Sequence, residues 1–117
     1  MKYVRLFNTT RDRVLCERCG LADSLWTRIR GLLGRASLPD EEGLLISPCP
    51  SIHMWGMKFA IDVVFLTREN VVTDLAENIA PGRYYIARDH AGKPFAALEL
   101  AAGAAARRGV AIGDQIA

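Results

Sequence analysis

Residues 47–67, SPCPSIHMWGMKFAIDVVFLT, limit the fold of this chain more than any other stretch. Pro48 and Pro50 flank Cys49 and forbid a helix there, because a proline lacks a backbone N–H and drives the residue before it into extended geometry. The four-residue spacing of Cys49 and His53 is therefore not a helical pairing. If residues 51–55 run extended, Ser51, His53 and Trp55 share one face, and Ile52 and Met54 share the other. Gly56 permits a bend. Residues 61–67 are then almost wholly apolar, as in a strand covered on both faces. Asp62, near the start of that strand, is the exception.

The flanking sequence continues the β pattern. Residues 3–7 and 14–19 read as an N-terminal hairpin, and residues 44–46 as a short buried strand. Residues 71–76 return against 61–67 through a turn at Arg68-Glu69-Asn70, where Asn tolerates positive φ. Pro81-Gly82 suits the centre of a type II turn. Residues 83–88, 95–100 and 110–116 read as further strands, with Glu99 set between Leu98 and Leu100. After a candidate N-cap at Asp23 or Ser24, Leu25, Trp26, Ile29, Leu32 and Leu33 recur at helical spacing. Arg28, Arg30 and Arg35 fall between them, and Gly34 closes the segment. Residues 103–108 form a short Ala-rich helix stopped by Gly109. Short strands punctuated at intervals of roughly eight to twelve residues indicate a mainly β (α+β) fold. The expected architecture is one domain over residues 1–117. It is a small barrel-like, strongly bent antiparallel or mixed sheet, covered by one amphipathic helix and one short helix.

Composition narrows the function classes. The 117 residues are 50% hydrophobic and 24% charged, as in a soluble globular domain, and the formal net charge is only +2. That balance gives no argument for nucleic acid or an anionic membrane. No run approaches the roughly 18 apolar residues of a membrane span. The opening MKYVRLFNTTRDR lacks the apolar centre of a signal peptide, so a cytoplasmic location is expected. Three cysteines exclude a fully paired disulfide framework.

Polar groups set into apolar strand sequence need partners, since each one left buried and unsatisfied costs about 1–3 kcal/mol. The candidate ligand-binding residues are therefore His53, Trp55, Met57, Asp62, Cys49 and Glu99, lining a pocket at one end of the sheet that takes a small molecule or a peptide. The plainer account has His53 and Asp62 bonded to each other or to loop backbone, locking the proline-rich loop. A Cys-His-acid enzyme is the alternative, with Cys49 as nucleophile, His53 as base and Asp62 as orienting acid. Against it, Pro50 follows Cys49, so no helix N-terminus lowers the thiol pKa.

Cys49, His53, Met54 and Met57 are also ligand types that suit copper(I), although their spacing matches no strong motif. Cys16 and Cys19 would point to opposite faces of a straight strand, which disfavours a shared zinc ion. Alternation places Tyr84 and Tyr85 on opposite faces, one in the core and one at the surface, so they make no stacking platform for nucleic acid. No cofactor is expected, binding is favoured over catalysis, and a monomer or weak homodimer fits a β-rich chain with open edges.

The runs RGLLGRASL, PCPSIHMWGMKFAIDVVFL and LELAAGAAARRGVAIGDQI, in that order, resemble the bacterial and archaeal family known as domain of unknown function 192, or uncharacterised protein family 0127. The block carrying His53, Met57 and Asp62 is the most specific part. The resemblance implies a compact, mainly β domain with a barrel-like sheet and small helices, and no established activity. Many relatives carry an export signal that this chain does not show. Cys16 and Cys19 match no motif of the family.

Overall fold

Eight strands follow one another in a computed structural model that describes residues 2–22, 32 and 34–117. They are β1 (Lys2–Asn8), β2 (Arg13–Ala22), β3 (Glu42–Ile46), β4 (Ser51–His53), β5 (Ile61–Leu66), β6 (Val72–Ile79), β7 (Tyr84–Ile86) and β8 (Ala96–Ala101), and a single helical turn, α1 (Ala104–Arg107), comes after β8. Six strands form one mixed sheet in the order β1-β2-β3-β8-β5-β6, and β4 and β7 form a separate two-stranded ribbon. Among the described residues only β2 and β3 run parallel; the other pairs are antiparallel.

The apolar run at β5 has a direct cause. The strand lies between β8 and β6, and all six of its residues are buried. Its even-numbered positions Val64 and Leu66 join Leu98, Leu100, Leu6, Leu15 and α1 in one core cluster. Its odd-numbered positions Ile61, Val63 and Phe65 join Leu44, Ile46 and Ala97 in a second, which the ribbon covers through Ile52 and Met54. Each such buried Val, Ile, Leu or Phe stabilises the fold by about 1.5–3 kcal/mol, so both faces of the sheet are strongly held.

The hairpin of β5 and β6 turns as its residues dictate. Asn70 adopts φ 64°, its N–H donates to the Thr67 carbonyl at 3.0 Å, and the Thr67 N–H donates to Val71 at 2.9 Å. The Pro81-Gly82 turn also forms, with Gly82 at φ 83° and the Arg83 N–H donating to the Ala80 carbonyl at 3.2 Å.

Three expectations are corrected. The sheet does not close into a barrel. Instead the C-terminal segment reaches between the two edge strands through isolated bridges, Asn8 to Ile116 and Val71 to Gln115. For the same reason residues 110–116 form no strand: their backbone pairs with two different neighbours in turn, as in Val72 N–H to Asp114 O and Thr9 N–H to Gln115 O. Finally, Cys16 and Cys19 do not diverge. Val4 pairs with Cys19 but Leu6 pairs with Cys16, so β2 carries one extra residue there. Such a bulge restores both side chains to one face, and both lie in the first cluster. The amphipathic helix expected over residues 25–33 falls, apart from Leu32, outside the described residues. Among the described residues no helix is long and apolar enough to cross a membrane.

Candidate functional site

The ribbon carries the block that the sequence marks out. Its register pairs Ser51 with Ile86, Ile52 with Tyr85 and His53 with Tyr84. Ile52 and Tyr85 face inward. Tyr85 stacks on Phe65 with centroids 5.8 Å apart, and its hydroxyl donates to Asp74 Oδ2 at 2.8 Å. The Arg88 N–H donates to the same oxygen at 2.8 Å, and His90 Nε2 lies 3.6 Å from Asp74 Oδ1. Asp74, buried on β6, thus fixes the strand that follows the Pro81-Gly82 turn. Tyr84 and Tyr85 divide between surface and core as alternation requires.

Ser51, His53, Tyr84 and Ile86 face outward and are exposed. Trp55 adjoins them in a turn held by Met54, whose N–H donates to Arg83 O at 2.6 Å and whose carbonyl accepts from Met57 and Gly82. Met54 beneath is buried, yet Trp55 is 80% exposed, Tyr84 74% and Ile86 66%. A shallow groove of about 730 Å³ runs along β7 from Arg83 to Arg88.

The remaining candidates lie elsewhere. Asp62 is fully buried on the face of the first cluster. Its Oδ1 accepts the Asn78 N–H at 2.8 Å, and its Oδ2 accepts the Ala105 N–H at 3.0 Å. Among the described residues no hydrogen bond or ion pair joins it to His53, and the sheet separates the two. Their expected convergence does not form. Glu99 pairs across the ladder with Leu44 and Val63, which puts its side chain on the opposite face from Asp62. Burial pushes the Glu99 carboxyl up to about 7. Cys49 is half-buried, and its Sγ donates to Ser51 O at 3.1 Å. Burial first, and then the Glu99 charge, pushes its thiol up. Cys49 and Met57 both pack against the second cluster, so Cys49, Met57 and Glu99 gather under the ribbon while His53 and Trp55 lie outside it.

The domain of unknown function 192 family (DUF192), described as uncharacterized ACR, matches residues 7–117. The chain belongs to this family. A UPF0127 protein of Thermococcus sibiricus is 34% identical to this DUF192 chain over 88 residues, which are 69% of the chain and 54% of that relative. The match thus spans about half of the relative's length. The crystal structure of a protein of unknown function from Novosphingobium aromaticivorans aligns with a TM-score of 0.82 at 30% identity, covering 98% of this chain and 84% of that one. A protein from Sinorhizobium meliloti described as a candidate transcription regulator aligns with a TM-score of 0.80 at 23% identity, covering 100% of this chain and 95% of its own. At that identity the likeness speaks to fold alone.

Within this DUF192 domain, no three His, Cys, Asp or Glu side chains among the described residues converge as a metal-ligating group would. Sequence reasoning missed Asp74 as the anchor of the ribbon and missed Ile86, which pairs with Ser51 on the exposed face that also carries His53 and Tyr84. The alternation of residues 84–86 was the available signal for Ile86. The pairing of β7 with β4, rather than with a strand of the main sheet, had none.

Proposed function

We propose that this DUF192 protein is a binding module whose recognition surface is the outer face of the ribbon: His53, Trp55, Tyr84 and Ile86. Its ligand is an extended peptide segment that presents apolar side chains flanked by acidic ones. The observation that carries this reading is the 80% exposure of Trp55 and the 74% exposure of Tyr84, which flank the Met54–Arg83 backbone hydrogen bond at one end of the ribbon. Large aromatic side chains left in water next to one another mark a surface that a partner covers, and burying each stabilises a complex by about 1.5–3 kcal/mol. Arg83 and Arg88 at the ends of the adjoining groove favour acidic flanks. The ribbon is held by backbone hydrogen bonds and by Asp74, so little ordering opposes binding. Cys49 and Met57 support it from beneath, and Asp62 organises the opposite face.

Catalysis by Cys49 is the weaker reading. The raised thiol works against a thiolate nucleophile, and both Asp62 oxygens already accept backbone N–H groups. The test is an NMR titration with two synthetic peptides that share one apolar pattern and differ in Asp/Glu against Lys flanks. Saturable shifts at the Trp55 indole and at residues 84–86 with the acidic peptide alone support the proposal. Shifts scattered over the molecule, or equal response to both peptides, refute it.

A further inference from the structure

A second concavity lies away from the outer face of the ribbon. It has a volume of about 300 Å³, and its walls are Pro48, Pro50, Pro94 and Phe95. Arg68 and Lys93 stand at its rim with one acid, Glu69. The three chain segments that build it are tied together. The Cys49 N–H donates to Phe95 O at 2.7 Å, and the Phe95 N–H donates to Leu66 O at 2.9 Å. Three of the walls are prolines, whose backbone φ is already fixed. The pocket is therefore formed before any ligand arrives, which lowers the ordering cost of binding.

The charges point one way. The Arg68 guanidinium lies over the Phe95 ring, 4.1 Å from its centroid, which holds its donor edge beside the apolar floor. Among the described residues neither Arg68 nor Lys93 forms an ion pair. Two cations against one carboxylate leave the rim net positive. Apolar walls with a few convergent polar groups are the usual form of a small-molecule site, and this volume falls at the low end of the roughly 300–1,000 Å³ range of such sites.

We propose that this pocket binds a small organic carboxylate with an apolar body, the carboxylate meeting Arg68 and Lys93 and the body resting on Phe95 and the prolines. The proposed occupant is a free small molecule, and the test below separates it from a chain terminus with the same chemistry. The proposal is independent of the peptide surface proposed above.

The test uses 3-phenylpropionate, its neutral amide, and a short peptide ending in a free phenylalanine carboxylate, each titrated into the full chain and followed by NMR. The acid is expected to shift residues 67–69 and 93–95 saturably and to bind about tenfold more tightly than the amide, which lacks the charge-assisted hydrogen bonds. Arg68→Ala should weaken the acid about tenfold, and Arg68→Lys, which keeps the charge but loses the stacked planar fork, by a smaller factor. Glu69→Gln should tighten it roughly threefold by removing a like charge. A wall role alone would not produce that gain. Melting curves confirm that each variant is folded, and the Glu69→Gln and Arg68→Lys comparisons stand even if Arg68→Ala is destabilised. Equal binding of acid and amide, shifts centred elsewhere, weaker binding by Glu69→Gln, or binding of the peptide without the free acid would each overturn the proposal.

Discussion

Asp62 and Ala105 lie 43 positions apart in sequence, yet the Ala105 N–H donates to Asp62 Oδ2 at 3.0 Å within the core. Together with the burial of Ala104 and Ala105 in the first core cluster, the contact holds α1 in place. A four-residue helix is far too short to hold itself in water. Its N-cap, Gly103, offers no side chain, so Asp62 supplies the acceptor from a neighbouring strand. The other Asp62 oxygen accepts the Asn78 N–H on β6. Asp62→Ala would leave two backbone donors without an acceptor. We expect it to destabilise the domain by about 2–4 kcal/mol, measured as a shift in the urea midpoint. Amide exchange at Ala105 and Asn78 should accelerate beyond the global loss. Unchanged protection at both amides would show that the carboxylate does not hold them.

Glu99 makes stability depend on pH. Its carboxyl is raised from 4.5 to about 7 by burial. The folded state therefore holds a proton that the unfolded state has already released, and stability falls as pH rises from about 4.5 to about 7. Above that window the deficit is constant, on the order of 3 kcal/mol at 1.36 kcal/mol per pH unit. Glu99→Gln has no such proton to lose. Its stability advantage over the natural chain should be small near pH 5 and should grow to about 2–3 kcal/mol by pH 8. Urea unfolding of both proteins across that range is the check. A difference that does not change with pH would mean that Glu99 titrates as an ordinary carboxyl.

What could be read from the sequence was what neighbouring residues determine. The β5–β6 hairpin was legible because an apolar run meets Asn70, which accepts positive φ, and the strand then returns. The split of Tyr84 and Tyr85 followed from alternation alone. What could not be read depends on strand order and register. Asp62 and Glu99 fall on opposite faces because the β5–β8 register sets Asp62 against Leu100 and Val63 against Glu99, and nothing near either residue encodes that register. His53 and Asp62 are nine positions apart, but the ribbon turns one outward over the second cluster while the sheet buries the other beneath the first. Cys16 and Cys19 share a face only because of a bulge, which a single extra residue creates and no residue type announces. The barrel expectation failed because the sheet stays open, and the tail meets its two ends only through isolated bridges.

Gly43 is fixed by crowding rather than by backbone conformation. A Cβ there would meet Cys16 Sγ at 2.8 Å, Leu100 Cδ2 at 2.9 Å and Glu99 O at 3.0 Å. The last is backbone of the adjacent strand and cannot swing away. Gly43→Ala should therefore destabilise the domain by about 1–3 kcal/mol through overpacking, although alanine suits a strand better than glycine does. Cys16→Ala removes the nearest obstacle. Combined with Gly43→Ala it should cost measurably less than the sum of the two single changes, by about 0.5–1 kcal/mol in a double-mutant cycle. Strict additivity would locate the strain at Leu100 and the Glu99 carbonyl instead.

Trp55 and Tyr84 should separate stability from recognition. Both are largely exposed, and neither belongs to the core clusters, so Trp55→Ala and Tyr84→Ala should each change folding stability by no more than about 0.5 kcal/mol. The same substitutions should weaken the acidic peptide at least about tenfold, because truncating an aromatic anchor at the centre of an interface costs about 1–2 kcal/mol or more. Tyr85→Phe is the informative contrast. It removes the hydroxyl that donates to buried Asp74 but leaves the outer face untouched. It should lower stability by about 1–2 kcal/mol while peptide affinity, measured well below the melting temperature, stays within about twofold. If Trp55→Ala instead lowers the melting temperature as much as Tyr85→Phe and leaves peptide affinity intact, the exposed indole serves the fold, and the ribbon is not the recognition surface.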